Sequence, residues 1–196
     1  VILEDEQVTR YMPKDADGTP HDDGPAVYVQ WFEAAKFCNW LSRIEGLECC
    51  YPDPVEPDMV LDANYLDRSG YRLPREAEWE YAARAGSLTA FPNGEITDAG
   101  CLDPTLSEIA WYCGNSTSYP QHPVAQKVPN SWGIYDMHGS VWEWCSDWYS
   151  SYPQGSVTDP SGPPDGIERV IRGGGIADNA RTCRSANRLS LGSDII

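Results

Sequence analysis

The stretch YDMHGSVWEW, residues 135–144, carries two carboxylates that a short turn can bring together. Asp136 and Glu143 are seven residues apart, and Gly139 between them permits a backbone turn that a larger side chain would obstruct. Such a loop can direct two carboxylates and the intervening carbonyls at one ion, and calcium accepts roughly six to eight oxygen ligands in flexible geometry. The alternative is a solvated turn above Trp142 and Trp144.

A second stretch with reactive residue types, RGGGIADNARTCRSANR, covers residues 172–188. Its thiol, Cys183, is either a reactive or metal-binding group or a small buried side chain, with Asp178 as a turn residue. We adopt the second interpretation. The arginines of this stretch either line a pocket for an anion or pair with nearby carboxylates, and both interpretations stay open. These arginines are Arg172, Arg181, Arg184 and Arg188.

Other metal chemistry finds little support in the sequence. The three histidines, His21, His122 and His138, have spacings that fit no zinc motif. The seven cysteines form no CxxC pair, and because their number is odd, at least one thiol is free or paired outside the chain. Their pairing stays open.

The overall charge excludes two classes of partner. With 30 acidic and 14 basic residues the formal net charge is -16, which repels nucleic-acid backbones and anionic lipid surfaces. No run approaches the roughly 18 apolar residues that a membrane span requires. We therefore expect no nucleic-acid binding and no membrane insertion.

The pattern of apolar residues predicts two helices followed by short strands. AVYVQ, residues 26–30, alternates like a strand, and the segment after it has helical spacing up to Gly46. A second helix is predicted from Pro74 to Arg84, with Trp79, Ala82 and Ala83 as its buried stripe. The segments IAWYCGN, SWGIYDM, SVWEWCSDWY and RVIRGG then alternate with turns. This order indicates one α+β domain over residues 1–196, rich in loops.

Several of these stretches together resemble the formylglycine-generating enzyme family, whose members are also called sulfatase-modifying factor domains. The matching stretches are YRLPREAEWEYAARAG, PNSWGIYDMHGSVWEWCSDWY, RVIRGG and CRSANR, in order over residues 26–190. The resemblance implies a C-type-lectin-like α+β fold with little regular secondary structure and with bound calcium. It also implies that the family's N-terminal strands and last C-terminal strand are missing from this chain.

The resemblance further implies which residues hold metal. The calcium ligands would be the side chains of Asp136 and Glu143 and the carbonyls of Gly139 and Val141, in a structural role. A second calcium site would involve Asn115, although the expected carboxylate partner is not apparent in the sequence. Asn115-Ser116-Thr117 also fits a glycosylation acceptor in a secretory setting.

Active members of the family oxidise a substrate cysteine with two copper(I)-binding cysteines, and this chain departs from that pattern. The first thiol should follow the glycine pair by four residues, where this sequence has Asp178. Simple counting places the second at Cys183, but CRSANR resembles a later family segment, so Cys183 takes a packing position there. Because a carboxylate cannot replace a soft thiolate for copper(I), we expect no copper site.

The hypothesis that follows is a calcium-stabilised module that binds a peptide or protein, or another domain of its own polypeptide. The same fold serves in ligand-binding proteins diversified by retroelements, which this chain resembles. The alternative is an enzyme, either a divergent formylglycine-generating oxidoreductase or the substrate domain associated with an oxygenase. The residues predicted to bind the ligand are Gly175, Ile176, Asp178, Asn179, Thr182 and Arg184.

Overall fold

A computed structural model describes residues 23–56, 59–116 and 122–195 of the chain. Its helices are α1 (Trp31–Ile44), α2 (Glu76–Arg84) and α3 (Pro104–Ile109), with a 3-10 turn at Tyr65–Asp67. Three strands, β1 (Glu143–Trp148), β2 (Glu168–Arg172) and β3 (Leu189–Gly192), form one small antiparallel sheet in the order β1-β2-β3. The α+β, loop-rich fold class predicted from the sequence is confirmed.

Helix α1 begins and ends where local chemistry allows it. The backbone N–H of Gln30 donates to Glu33 Oε2 at 3.0 Å, as one half of a capping box that satisfies free donors at the first turn. At the other end Gly46 adopts a φ of +71°, a conformation in which glycine avoids the Cβ clash. The predicted helix is confirmed, and it buries Trp31 and Ala35.

Helix α2 is capped by a residue far away in sequence. The N–H of Glu76 donates to Asp147 Oδ2 at 2.7 Å, so a carboxylate on β1 satisfies a free donor at the positive helix end. Of the predicted stripe, Trp79 and Ala83 are buried and Ala82 is half-buried. The helix orients Trp79 towards the site described below.

The strand predicted at AVYVQ is wrong, because no strand forms at residues 26–30. Tyr28 has a φ of +57°, which breaks an extended run, and the Val29 carbonyl accepts a hydrogen bond from the Trp144 indole at 2.8 Å instead of joining a ladder. IAWYCGN and SWGIYDM are not strands either; only an isolated bridge pairs Trp111 with Gly139.

Helix α3 was not predicted, because six residues are too few to show a helical period. Its local signal is nevertheless present in the sequence: Asp103 precedes Pro104, and Asp103 Oδ1 accepts the Leu106 N–H at 2.7 Å. The disulfide Cys101–Cys113 closes the segment that contains this helix. The other five cysteines are free thiols.

The chain forms two compact units, each built from separate stretches of sequence. Unit 1 contains residues 1–28, 78–143 and 172–189, and unit 2 contains residues 29–77, 144–171 and 190–196. The core of unit 1 includes Phe91, Leu106, Ile109, Ala110, Tyr112, Ala180 and Cys183. The core of unit 2 includes Trp31, Ala35, Cys50, Tyr51 and Val55.

None of the helices in the described ranges is both long and apolar enough to span a membrane.

Candidate functional site

Residues 136–143, here called the calcium loop, have a backbone that few sequences can adopt. Asp136, Gly139 and Ser140 all have positive φ values, of +59°, +69° and +59°. A Cβ on Gly139 would lie 2.2 Å from the Trp111 carbonyl oxygen, so only glycine fits there. The Gly139 N–H donates to Gly173 O at 2.9 Å, and the Ser140 N–H donates to Trp111 O at 2.7 Å. The turn expected at Gly139 is therefore present and held from two sides.

The carboxyl group of Glu143 is buried at the end of this loop. Its Oε2 accepts a hydrogen bond from Trp79 Nε1 at 2.9 Å. The pKa of Glu143 is raised to about 7, mainly because the carboxyl group is buried; the Trp79 hydrogen bond lowers it and the nearby charge of Asp136 raises it. Among the described residues no Lys or Arg forms an ion pair with Glu143. An ionised Glu143 thus needs a cation that the described side chains do not supply.

Asp136 lies near Glu143, and two backbone carbonyls of the same loop lie beside Gly173. Asp136 is half-buried, and its Oδ2 accepts the Ala125 N–H at 2.7 Å. The carbonyl oxygens of Met137 and Val141 lie 3.5 and 3.8 Å from the position that a Cβ on Gly173 would take, so they face one small region of space. Nowhere in the described ranges do three His, Cys, Asp or Glu side chains gather for a metal, so an ion here would need carbonyl ligands too.

His138 lies inside the calcium loop but points into the core. Its ring is fully buried between Trp79 and Phe91, with ring centroids 6.5 and 5.7 Å away. Burial lowers the pKa of His138 to about 4, against a hydrogen bond to the Cys183 backbone that raises it. The ring is therefore neutral, and its Nδ1 donates to Cys183 O at 2.8 Å. This bond connects the calcium loop to the stretch around Cys183.

Residues 175–184, here called the ligand loop, fold through their own side chains. Asp178 Oδ2 accepts the Gly175 N–H at 2.8 Å, and Asp178 O accepts the Cys113 N–H at 3.0 Å. Asn179 Oδ1 accepts from both the N–H and the hydroxyl of Thr182 at 3.0 Å. Asp178 and Asn179 are thus turn residues.

Cys183 is enclosed in the core of unit 1 and has no exposed surface. The pKa of the thiol is raised to about 12, mainly by burial and in smaller part by the charge of Asp178. A Cβ on Gly174 would lie 2.7 Å from the Cys183 sulfur, so glycine is needed beside it. The thiol is protonated at neutral pH and is the only free cysteine of unit 1.

This geometry stands beside a family match that spans almost the whole chain. The family model of the sulfatase-modifying factor enzyme 1-like domain matches residues 4–195. The chain belongs to this family. The expected resemblance is therefore confirmed.

Curated relatives carry different activities in their names. The chaperone protein LppX of Paenibacillus barcinonensis is 30% identical over 87% of this chain and 65% of its own length. The formylglycine-generating enzyme of Streptomyces coelicolor is 32% identical over 81% of this chain and 44% of its own length. The chain thus spans less than two thirds of either relative.

A solved structure confirms the family fold. The Treponema denticola variable protein 1 superposes with a TM-score of 0.77 and 30% identity, covering 95% of this chain and 74% of that one. The proteins that this chain resembles are thus named as a chaperone, an enzyme and a variable protein.

The two metals that the family resemblance implies fit this chain differently. The calcium loop offers only oxygen donors, among them a buried carboxylate without a cationic partner, and this is the chemistry that calcium prefers. Copper(I) prefers thiolates, and the ligand loop offers one carboxylate that caps a turn and one buried, protonated thiol. The residues present fit calcium and do not fit a two-thiolate copper site.

The side chain of Asn115 serves the backbone around it. Its Oδ1 accepts the Tyr112 N–H at 3.1 Å, and its Nδ2 donates to Ala110 O at 2.9 Å. Both ends of the amide are committed, which disfavours the predicted second calcium site and the glycan acceptor. Thr117 of the acceptor sequence lies outside the described residues.

Sequence reasoning missed two residues of this family site. Trp142 lies against the ligand loop, since a Cβ on Gly175 would be 3.3 Å from its Cδ1. Trp79 binds Glu143 and packs beside His138. Trp142 was predicted only as packing beneath a turn, and Trp79 only as the buried stripe of α2; no spacing rule connects either residue to the stretches they touch.

Proposed function

We propose that this chain is a non-catalytic member of the family that binds a peptide or protein segment on a scaffold stabilised by calcium. The observation that carries the proposal is the pair Asp178 and Cys183. Asp178 already bonds to the Gly175 N–H, and Cys183 is buried with its pKa raised to about 12. Neither group is available as a thiolate ligand, so these two positions do not offer the thiolate pair that the family's copper chemistry would need.

Calcium would act on the calcium loop as a structural ion. Asp136 and Glu143, with the carbonyls of Gly139 and Val141, would hold it, and its charge would compensate the buried carboxylate. The ion would fix a loop whose backbone already contains three positive φ values. Because the Ser140 carbonyl accepts the Ile176 N–H at 2.9 Å, the fixed loop would in turn support the ligand loop.

The similarity to proteins named as a variable protein and a chaperone supports a binding role, since neither name describes oxidation. The ligand would lie on the ligand loop, over Gly175, Ile176, Asp178, Asn179, Thr182 and Arg184. It would be a segment of another protein or another part of a longer polypeptide.

The enzyme alternative is tested directly. The protein is incubated with copper(I), oxygen and a peptide carrying a cysteine two residues before proline and four before arginine, and the peptide mass is then measured. We expect an unchanged mass, while an active formylglycine-generating enzyme run in parallel converts the cysteine to an aldehyde. Conversion by this protein would refute the non-catalytic proposal.

The calcium role is tested by melting the protein with calcium and with a chelator. We expect calcium to raise the melting temperature of the native protein and to lose most of that effect in Glu143→Gln. Asp165→Asn, which removes one exposed carboxylate, is the matched control and should keep the effect. If calcium leaves the melting temperature of all three proteins unchanged, the calcium part of the proposal is refuted.

A further inference from the structure

Two side-chain acceptors of the ligand loop bond within the loop, whereas most of its guanidinium donors are left without acceptors among the described residues. Asp178 Oδ2 and Asn179 Oδ1 both bind groups of the loop itself. The guanidinium of Arg181 makes no hydrogen bond or ion pair with any described residue, and Arg184 uses only its Nε, which donates to Arg181 O at 2.9 Å. A ligand that satisfies this surface must therefore bring acceptors.

The two unpaired arginines are unusual in a chain with a net charge of -16. Elsewhere in the same stretch an arginine is paired, because Arg172 is buried and forms an ion pair with Glu80. Across the ranges 23–56, 59–116 and 122–195, no carboxylate comes within ion-pairing distance of Arg181 or Arg184. The ligand loop has one acidic residue, Asp178, so its own formal charge is positive.

An aromatic donor lies against the start of the ligand loop. The Trp142 indole packs against Gly175 and is half-buried, and its Nε1 hydrogen-bonds to none of the described groups. A planar apolar face against the loop that carries the two guanidinium groups suits a short peptide, which offers carbonyl oxygens as well as side chains.

We propose that the ligand loop recognises an acidic segment, in which Asp or Glu side chains bind the guanidinium groups of Arg181 and Arg184. Arg binds carboxylates through two parallel N–H···O bonds, which are stronger than bonds between neutral groups. This inference rests on the proposed binding function and adds the chemistry of the partner. It also decides between the two interpretations of the arginines: Arg172 is an ion-pair residue, and Arg181 and Arg184 bind an anion.

The first experiment is a selection without a presumed ligand. A displayed library of random twelve-residue peptides is panned on the immobilised full chain in calcium, and the retained peptides are sequenced. We expect Asp and Glu to be enriched and Lys and Arg depleted relative to the input. Retained peptides that are apolar or basic would overturn the acidic partner and leave the binding function standing, whereas no retained peptide at all would overturn both.

The second experiment assigns the effect to the arginine. Arg181→Glu should weaken the binding affinity for the best acidic peptide by roughly tenfold or more, because an attractive charge becomes repulsive at the contact. Lys36→Glu on helix α1 makes the same change in net charge and should change the affinity by less than about twofold. Arg181→Gln, which keeps a polar side chain but removes the charge, should have an effect between the two. Equal losses in Arg181→Glu and Lys36→Glu would overturn the assignment to the loop, and the melting temperature of each variant verifies folding.

Discussion

Gly139 is the residue on which the calcium loop depends, for two separate reasons. Its φ of +69° is unfavourable for other residues, and the Trp111 carbonyl occupies the space where a Cβ would lie. Gly133 has a similar φ of +78° but open space around it. Comparing Gly139 with Gly133 therefore separates the free-energy cost of the positive φ from the cost of the steric clash with the Trp111 carbonyl.

Gly139→Ala should therefore destabilise the protein far more than Gly133→Ala. The positive φ alone costs about 1 kcal/mol, which is what we expect for Gly133→Ala. Gly139→Ala adds the displacement of the Trp111 segment and should cost at least twice as much. Urea unfolding of both variants measures the difference, and equal costs would mean that the loop shifts freely away from residue 111.

The buried His138 predicts a dependence of stability on pH. The pKa of its imidazole is about 4 in the folded protein and 6.5 when the ring is exposed to water in the unfolded chain, so the unfolded state binds more protons between these values. The stabilisation is complete above pH 6.5 and is lost as the pH falls towards 4, by up to about 1.4 kcal/mol per pH unit.

His138→Asn tests this dependence, because the Asn amide can still donate to the Cys183 carbonyl but does not titrate. Unfolding free energies of the two proteins are compared at pH 7 and pH 5. Native protein should lose more stability than the variant over this interval. Parallel losses would show that other groups, among them the carboxylates, dominate the acid sensitivity.

At the scale of elements, α1, α2, β1 and β2 lie in segments that the sequence pattern indicates, whereas α3 and β3 do not, and three predicted strands do not form. Helices α1 and α2 carry their periods and end signals within their own sequences, as Gln30, Glu33 and Gly46 show. AVYVQ has the alternation of a strand, but a strand also needs a partner, and the Trp144 indole takes the Val29 carbonyl. Such competition depends on residues more than a hundred positions away, which no local pattern reveals.

The candidate site also contains features that the sequence predicts and features that depend on the packing of distant segments. The carboxylates and the turn of the calcium loop follow from spacing and from the family resemblance, since Asp136, Gly139 and Glu143 lie within eight residues. The contacts of Trp79 with Glu143 and of Trp142 with Gly175 arise only when distant segments pack. The sequence therefore indicates groups that lie close together along the chain, but not the residues that distant segments bring into contact with them.

The disulfide around helix α3 is a local stabilising element that can be removed chemically. Cys101 and Cys113 are twelve residues apart, and closing a loop of this size stabilises a folded protein by about 3 kcal/mol through the lost entropy of the unfolded chain. Cys101→Ser with Cys113→Ser should lower the melting temperature, and a reductant should do the same to the native protein. Cys49→Ser, which removes a partly buried free thiol, is the control and should have a much smaller effect.

At the scale of the whole molecule, the negative net charge repels the acidic peptide that the arginines of the ligand loop attract. A chain of charge -16 repels an acidic peptide at long range, while Arg181 and Arg184 attract it on contact. The repulsion and the attraction act over different distances, so salt can separate them. In physiological salt the screening length is about 8 Å, which weakens the long-range repulsion before the attraction at contact.

Association of the selected acidic peptide should therefore accelerate when sodium chloride rises from about 20 to 150 mM, because this range shortens the screening length most. Stopped-flow fluorescence of Trp142 or of a labelled peptide gives the rate constant. An association rate that falls with salt would show that the local arginine field outweighs the net charge even at a distance.

The division of the chain into two units, each drawn from three stretches, has a consequence for inheritance and for engineering. The path crosses from one unit to the other at residues 28, 77, 143, 171 and 189, so no single continuous gene segment encodes either half. A crossover inside the gene, or a truncation designed to isolate one half, would leave fragments of both. A new binding specificity is therefore better introduced by single substitutions on exposed turns, which leave the sequence of both units otherwise unchanged.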